Sequence, residues 1–141
     1  AIRDAVESAR FADEFSDEIS INPLNVQRAT YVERLWKRGE FRSPWIWSLV
    51  DVFRQLSGTV NSRLMSSPSG GGAMRGVHNC GKCDRELLDA IERFSFNQDP
   101  SELDVTCDCV SKWRSYMESE NLLGSPADLD RDFENELTLR E

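Results

Sequence analysis

Apolar residues recur at intervals of three and four along most of the chain, and that spacing predicts helices. The strongest stripe covers residues 44–64, with Ile46, Leu49, Val50, Phe53, Leu56, Val60 and Leu64 on one face. Ser43 and Pro44 precede it; serine is a preferred N-cap and proline fits the first helical position. Gly58 is a candidate break, since glycine inside a helix costs about 1 kcal/mol relative to alanine. Residues 2–18 place Ile2, Val6, Ala9, Phe11 and Phe15 at helical spacing. Asp13, Glu14, Asp17 and Glu18 crowd the end of that stretch, where the helix dipole disfavours negative charge. Asn22-Pro23 opens a further stretch, residues 23–38, with Leu24, Tyr31, Val32, Leu35 and Trp36 on one side. Lys37 and Arg38 fall in its last turn and Gly39 follows as a C-terminal cap.

The second half repeats the pattern. Residues 84–94 carry Leu87, Leu88, Ile91 and Phe94 on one face, with Asp84 a candidate N-cap. Asn97, Asp99, Pro100 and Ser101 have turn chemistry. Residues 110–121 carry Val110, Trp113, Tyr116 and Met117 at helical spacing, and Leu122-Leu123-Gly124 closes the stretch. No strand alternation stands out. The expected fold is therefore all-α, a small helical bundle whose C-terminal pair of helices is stapled by a metal.

Composition divides this pattern into modules. Residues 66–76, Ser-Ser-Pro-Ser-Gly-Gly-Gly-Ala-Met-Arg-Gly, read as a flexible linker. It separates a helical module, residues 1–65, from a cysteine-bearing module, residues 77–124, and an acidic tail follows over 125–141. Leu129, Phe133 and Leu137 in that tail suit a short helix or a segment that folds on a partner. The formal net charge is −8, and all of it lies in residues 66–141, because residues 1–65 hold nine basic and nine acidic side chains. That balance argues against a nucleic-acid backbone as the main partner of the second half. The first 20 residues are rich in acids and lack an apolar core, so no signal peptide is expected. With no long apolar run either, the chain reads as intracellular, cytoplasmic or nuclear.

All four cysteines fall in two short pairs. Cys80-Gly-Lys-Cys83 is a C-x2-C knuckle, and Cys107-Asp-Cys109 is a C-x-C pair, with 23 residues between them. Zinc takes four tetrahedral nitrogen or sulfur ligands, and two such segments supply four. Each pair sits just before a predicted amphipathic helix, whose positive end favours the thiolates. A structural Zn2+ on Cys80, Cys83, Cys107 and Cys109 is the expected cofactor, with His78 an alternative fourth ligand. Disulfides, a redox C-x2-C and an iron–sulfur cluster fit less well. There is no sign of secretion, no α/β pattern and no ferredoxin spacing.

The catalytic signatures are missing. His78 is followed by Asn79 and Cys80, so the deaminase H-x-E fails, and a single histidine leaves little for a nucleophile triad. The expectation is a non-enzymatic, zinc-binding regulatory or interaction protein. Small zinc-stapled viral and phage accessory factors offer an analogy. Trp45 and Trp47 lie two residues apart, so one helix does not turn both to the same core. With Trp36 they are the candidate protein-binding residues, since tryptophan dominates interface hot spots. The alternative is a zinc-containing transcription regulator that touches nucleic acid through the basic segment 28–42. Its candidate phosphate contacts are Arg34, Lys37, Arg38 and Arg42.

Overall fold

A computed structural model describes residues 1–123. The acidic tail and its predicted short helix lie outside the described residues. In chain order the elements are α1 (Ile2–Ala12), β1 (Glu18–Ser20), α2 (Tyr31–Lys37), α3 (Ile46–Leu56), β2 (Arg63–Met65), α4 (Asp84–Asn97), a 3-10 turn (Pro100–Leu103) and α5 (Val110–Leu123). β1 and β2 pair in parallel, Glu18 opposite Arg63, Ile19 opposite Leu64 and Ser20 opposite Met65. The fold is thus mixed α/β, and the all-α expectation is corrected. Each strand is three residues long and buries one side chain, Ile19 or Leu64. That is too short for alternation to show against helical spacing.

The helices begin and end for legible reasons. α1 stops at Ala12, ahead of the acids that its dipole would repel. Asp13 instead turns its carboxylate to the N–H groups of Asn61 and Ser62. α2 is shorter than residues 23–38. It starts after Thr30, whose Oγ1 accepts the N–H of Glu33 at 3.1 Å, while the Glu33 carboxylate reaches back to the N–H of Ala29 at 2.9 Å. This is a capping-box arrangement shifted by one residue, and it outcompetes the start signal at Asn22-Pro23. α3 ends at Leu56, and Gly58 adopts φ +74, a left-handed conformation that other residues resist. The chain then turns into β2 instead of continuing a helix to residue 64.

The described chain divides into two compact units, Ala1–Cys107 and a second that begins at Asp108. The core of the first is α3, which buries Ile46, Trp47, Leu49, Val50, Val52, Phe53 and Leu56. Val6 and Ala9 of α1, and Leu87, Ala90, Ile91 and Phe94 of α4, are also buried, with Leu103 from the 3-10 turn. The rings of Phe53 and Phe94 meet with centroids 5.1 Å apart. Fully burying one such side chain is worth roughly 1.5–3 kcal/mol, so this pair anchors α3 to α4.

The Gly-rich segment belongs to the same unit. Composition alone predicts a flexible stretch, but its main chain is held at several points. The N–H of Val26 donates to the carbonyl of Arg75 at 2.8 Å, and that of Gly72 to Val77 at 2.8 Å. Ser43, expected as the cap of α3, is buried and donates its hydroxyl to the carbonyl of Arg75 at 2.9 Å. The second unit contains α5, along which Ser115 and Ser119 donate their hydroxyls to carbonyls four residues back. Among the described residues no helix is long and apolar enough to cross a membrane.

Candidate metal centre

The C-x2-C knuckle is shaped by its own neighbours. Asp84, expected to cap α4, is its first residue, and Cys83 takes the N-cap position. The buried Asp84 carboxylate turns backwards and accepts the N–H groups of Asn79 at 3.0 Å and Gly81 at 2.8 Å. Gly81 sits at φ +85, so the loop reverses without strain. The two sulfurs, Cys80 Sγ and Cys83 Sγ, come to 3.8 Å of each other, and Cys107 Sγ lies 3.8 Å from Cys80 Sγ.

All four cysteine sulfurs, with Cys109 included, lie within 4.8 Å of one another. A tetrahedral ion with zinc–sulfur bonds of about 2.3 Å needs sulfur–sulfur edges of about 3.8 Å. The Cys80–Cys83 and Cys80–Cys107 separations equal that edge, and both are far beyond the bonded distance of about 2.0 Å in a disulfide. No disulfide joins these residues. Four thiolates close a tetrahedral shell and leave no place for a reacting water, so the donor set is that of a structural zinc site. Cys83 and Cys109 are buried, Cys107 is half-buried and Cys80 is exposed. Cys83 holds the N-cap position of α4, and Cys109 directly precedes α5 in sequence.

His78 is outside this group. Its Nδ1 donates to the carbonyl of Gly76 at 2.9 Å. The residue that sequence reasoning passed over is Asn79. Its buried side chain donates Nδ2 to Cys83 Sγ at 3.5 Å. Its Oδ1 accepts the N–H of Ile46 at 2.8 Å and that of Trp47 at 3.4 Å. Trp45 supplies no side-chain cap to α3, so Asn79 does, from 33 residues away. No local signal announces such a partner.

The other candidate residues separate. Trp47 is buried at 3% exposure, which removes it from the surface. Trp36 lies under the Arg75 guanidinium, 4.7 Å from its ring centre, and Trp45 under that of Arg42, at 4.0 Å. Trp45 Nε1 is shielded and has no hydrogen-bond partner among the described residues. The basic side chains are engaged within the chain. Arg34 covers Tyr31, Lys37 lies 3.4 Å from Glu33, and Arg38 bonds Glu40 at 2.9 Å. Arg42 donates to the carbonyls of Ser43 and His78. The buried Glu33 also binds Arg75 at 2.6 Å. Arg75, the Ala29 N–H and Lys37 together hold its carboxyl at about 2, well below the ordinary carboxylate range.

No protein-family model matches the chain, and no solved structure matches it. Three curated proteins are similar. Archaeosine synthase subunit beta of Methanosarcina acetivorans is 40% identical over 129 residues, 89% of this chain and 37% of that protein. The same-named subunit of Thermococcus kodakarensis is 38% identical over 121 residues, 84% of this chain and 37% of the relative. An uncharacterised protein of Methanocaldococcus jannaschii is 32% identical over 126 residues, 86% and 34% of the two chains. None of these three relatives is a viral or phage protein. The chain spans about a third of the length of the curated relatives it matches, two of which are archaeosine synthase beta subunits.

Proposed function

We propose that this chain is the zinc-stapled, non-catalytic portion of an intracellular protein of the archaeosine synthase subunit beta type, and that it serves assembly with a partner protein. The observation that carries the reading is the four-sulfur cluster, whose dimensions suit a structural ion. Cys80, Cys83, Cys107 and Cys109 are the ligands, with Asn79 and Asp84 as the residues that shape the knuckle. When bound, the ion supplies charge compensation and a rigid junction. The relatives' name, a lettered subunit of a synthase, supports a companion subunit as the partner. Trp45 and Trp36, each half-buried beneath an arginine, are the remaining aromatic candidates for that contact.

The protein-partner reading is favoured over nucleic-acid contact through residues 28–42. Lys37 and Arg38 face Glu33 and Glu40, and Arg42 bonds main-chain carbonyls beside Trp45. The test is a pull-down of the intact chain with the companion subunit of the synthase, alongside zinc content by elemental analysis. One zinc per chain and retention of the companion are expected, with both lost in the Cys80→Ser/Cys83→Ser double variant. A chain that purifies without zinc sinks the metal reading. Equal retention by the double variant sinks the link between metal and partner.

A further inference from the structure

The two edges of the small sheet are finished differently, and from that difference we infer that β1 pairs along its outer edge with a further parallel strand. That strand belongs to the part of a longer polypeptide that the relatives carry beyond the matched region. The register turns the main-chain groups of Arg63 and Met65 toward β1, so those of Ser62, Leu64 and Ser66 point away from it. Every outward N–H on that side is met by a side chain. Asp13 accepts from Ser62 at 2.6 Å, and Ser95 Oγ accepts from Ser66 at 3.1 Å. The Gln98 carboxamide accepts from Leu64 N–H at 2.8 Å and donates to the Leu64 carbonyl at 2.7 Å. Gln98 thereby stands where the peptide of a neighbouring strand would stand. It does so from the C-cap of α4 at φ 60, a left-handed conformation uncommon outside glycine and asparagine. The edge of β2 is sealed.

The edge of β1 is not. Asp17 and Ile21 make the ladder bonds to Arg63 and Met65, so Glu18 and Ser20 direct their N–H and C=O groups away from β2. Among the described residues no hydrogen bond ends on those four main-chain groups. Parallel sheets occur almost only where they are extended and covered, and two strands of three residues bury little by themselves. Apolar side chains flank this edge in sequence. Phe11 and Phe15, with ring centroids 5.5 Å apart, are 68% and 75% exposed just before β1, and Leu24 is 49% exposed just after it. The relatives are about three times as long as the matched stretch, which is ample chain for a crossover and another strand. This inference does not depend on the zinc reading or on the partner subunit.

The test is site-resolved amide hydrogen exchange on the 141-residue chain and on the full-length Methanosarcina acetivorans relative. In the chain, the Glu18 and Ser20 amides are expected to exchange at nearly unstructured rates, while Leu64 is slow. At the aligned positions of the full-length relative both are expected to slow by about 100-fold or more. Ser20→Pro removes one outward N–H and no bond of the β1–β2 pair. It is expected to leave Leu64 protection unchanged in the chain, and the matching change is expected to abolish the added protection in the relative. Equal exchange in the two proteins overturns the inference. So does protection of Glu18 and Ser20 that appears in the 141-residue chain as its concentration rises, because the occupant is then a second copy.

Discussion

Asn79 Oδ1 accepts the main-chain N–H of Ile46 at 2.8 Å, so a residue of the cysteine knuckle caps the helix that forms the core. The same side chain donates to Cys83 Sγ. One carboxamide therefore connects the sulfur cluster to the N-terminus of α3. Asn79→Ala takes from the buried N–H of Ile46 the acceptor it has here. The expected loss is about 2 kcal/mol, the usual cost of a lost cap together with an unsatisfied buried donor. In a domain of about 100 residues that lowers the melting temperature by roughly 10 °C. Asn79→Asp keeps an acceptor but sets a carboxylate against a thiolate, so it is expected to recover much of the stability while releasing zinc faster to a chelator. Melting curves and a colorimetric zinc-release assay on the two variants separate these effects.

Removal of zinc is expected to act on α3 as well as on the knuckle. Structural zinc in small modules contributes on the order of 10 kcal/mol. Here Leu87, Ile91 and Phe94 of α4 remain buried with α3, so chelation should destabilise without erasing helical content. Amide exchange at Ile46 and Trp47 should accelerate, because Asn79 loses the fixed Cys83 beside it. Leu64, held by Gln98, should change far less. If Ile46 and Leu64 responded equally, the connection through Asn79 would not be what transmits the loss.

Glu33 makes stability depend on acid. Its carboxyl titrates at about 2 in the folded chain, against an ordinary value of 4.5, mainly through Arg75 and then the Ala29 N–H. The folded state thus binds fewer protons than the unfolded chain between those values. The contribution is fully present above pH 4.5 and is lost as the pH falls toward 2. Glu33→Gln removes this titration. Urea midpoints measured between about pH 2 and 6 should fall less steeply for the variant. Asp13, Asp99 and Glu102 are also held low by their hydrogen bonds, so the variant retains a residual slope.

Among the described residues Gly76 is the glycine least tolerant of a side chain. A Cβ there would lie 2.2 Å from the carbonyl oxygen of Gly70, a main-chain atom that has no rotamer to escape into. Gly76→Ala is expected to cost roughly 3 kcal/mol or more, as overpacking against fixed backbone does. At Gly58 a Cβ meets nothing within 4 Å, and only the left-handed φ of +74 opposes it. Gly58→Ala should cost about 1 kcal/mol. Chemical denaturation of the two variants measures the difference, and similar costs would mean that the loop is free to move.

Helices α3 and α4 and the four cysteines were legible because their signals are local. A stripe at spacings of three and four reports one buried face, and C-x2-C presents two sulfurs whatever surrounds it. The full lengths of the first three helices were not legible, since competition among nearby start and stop signals decides them. Thr30 with Glu33 prevailed over Asn22-Pro23, and Gly58 ended a stripe that periodicity continued to Leu64. The strands, the burial of Trp47 and the anchoring of the Gly-rich segment depend on partners far along the chain. Sequence by itself determined which residues have the chemistry to hold a metal and which stretches prefer to be helical. Only tertiary structure decided that Asn79 caps α3, that Gln98 seals β2 and that His78 stays outside the sulfur cluster. Those outcomes turn on which donors and acceptors folding brings within about 3 Å, and spacing along a chain does not encode that.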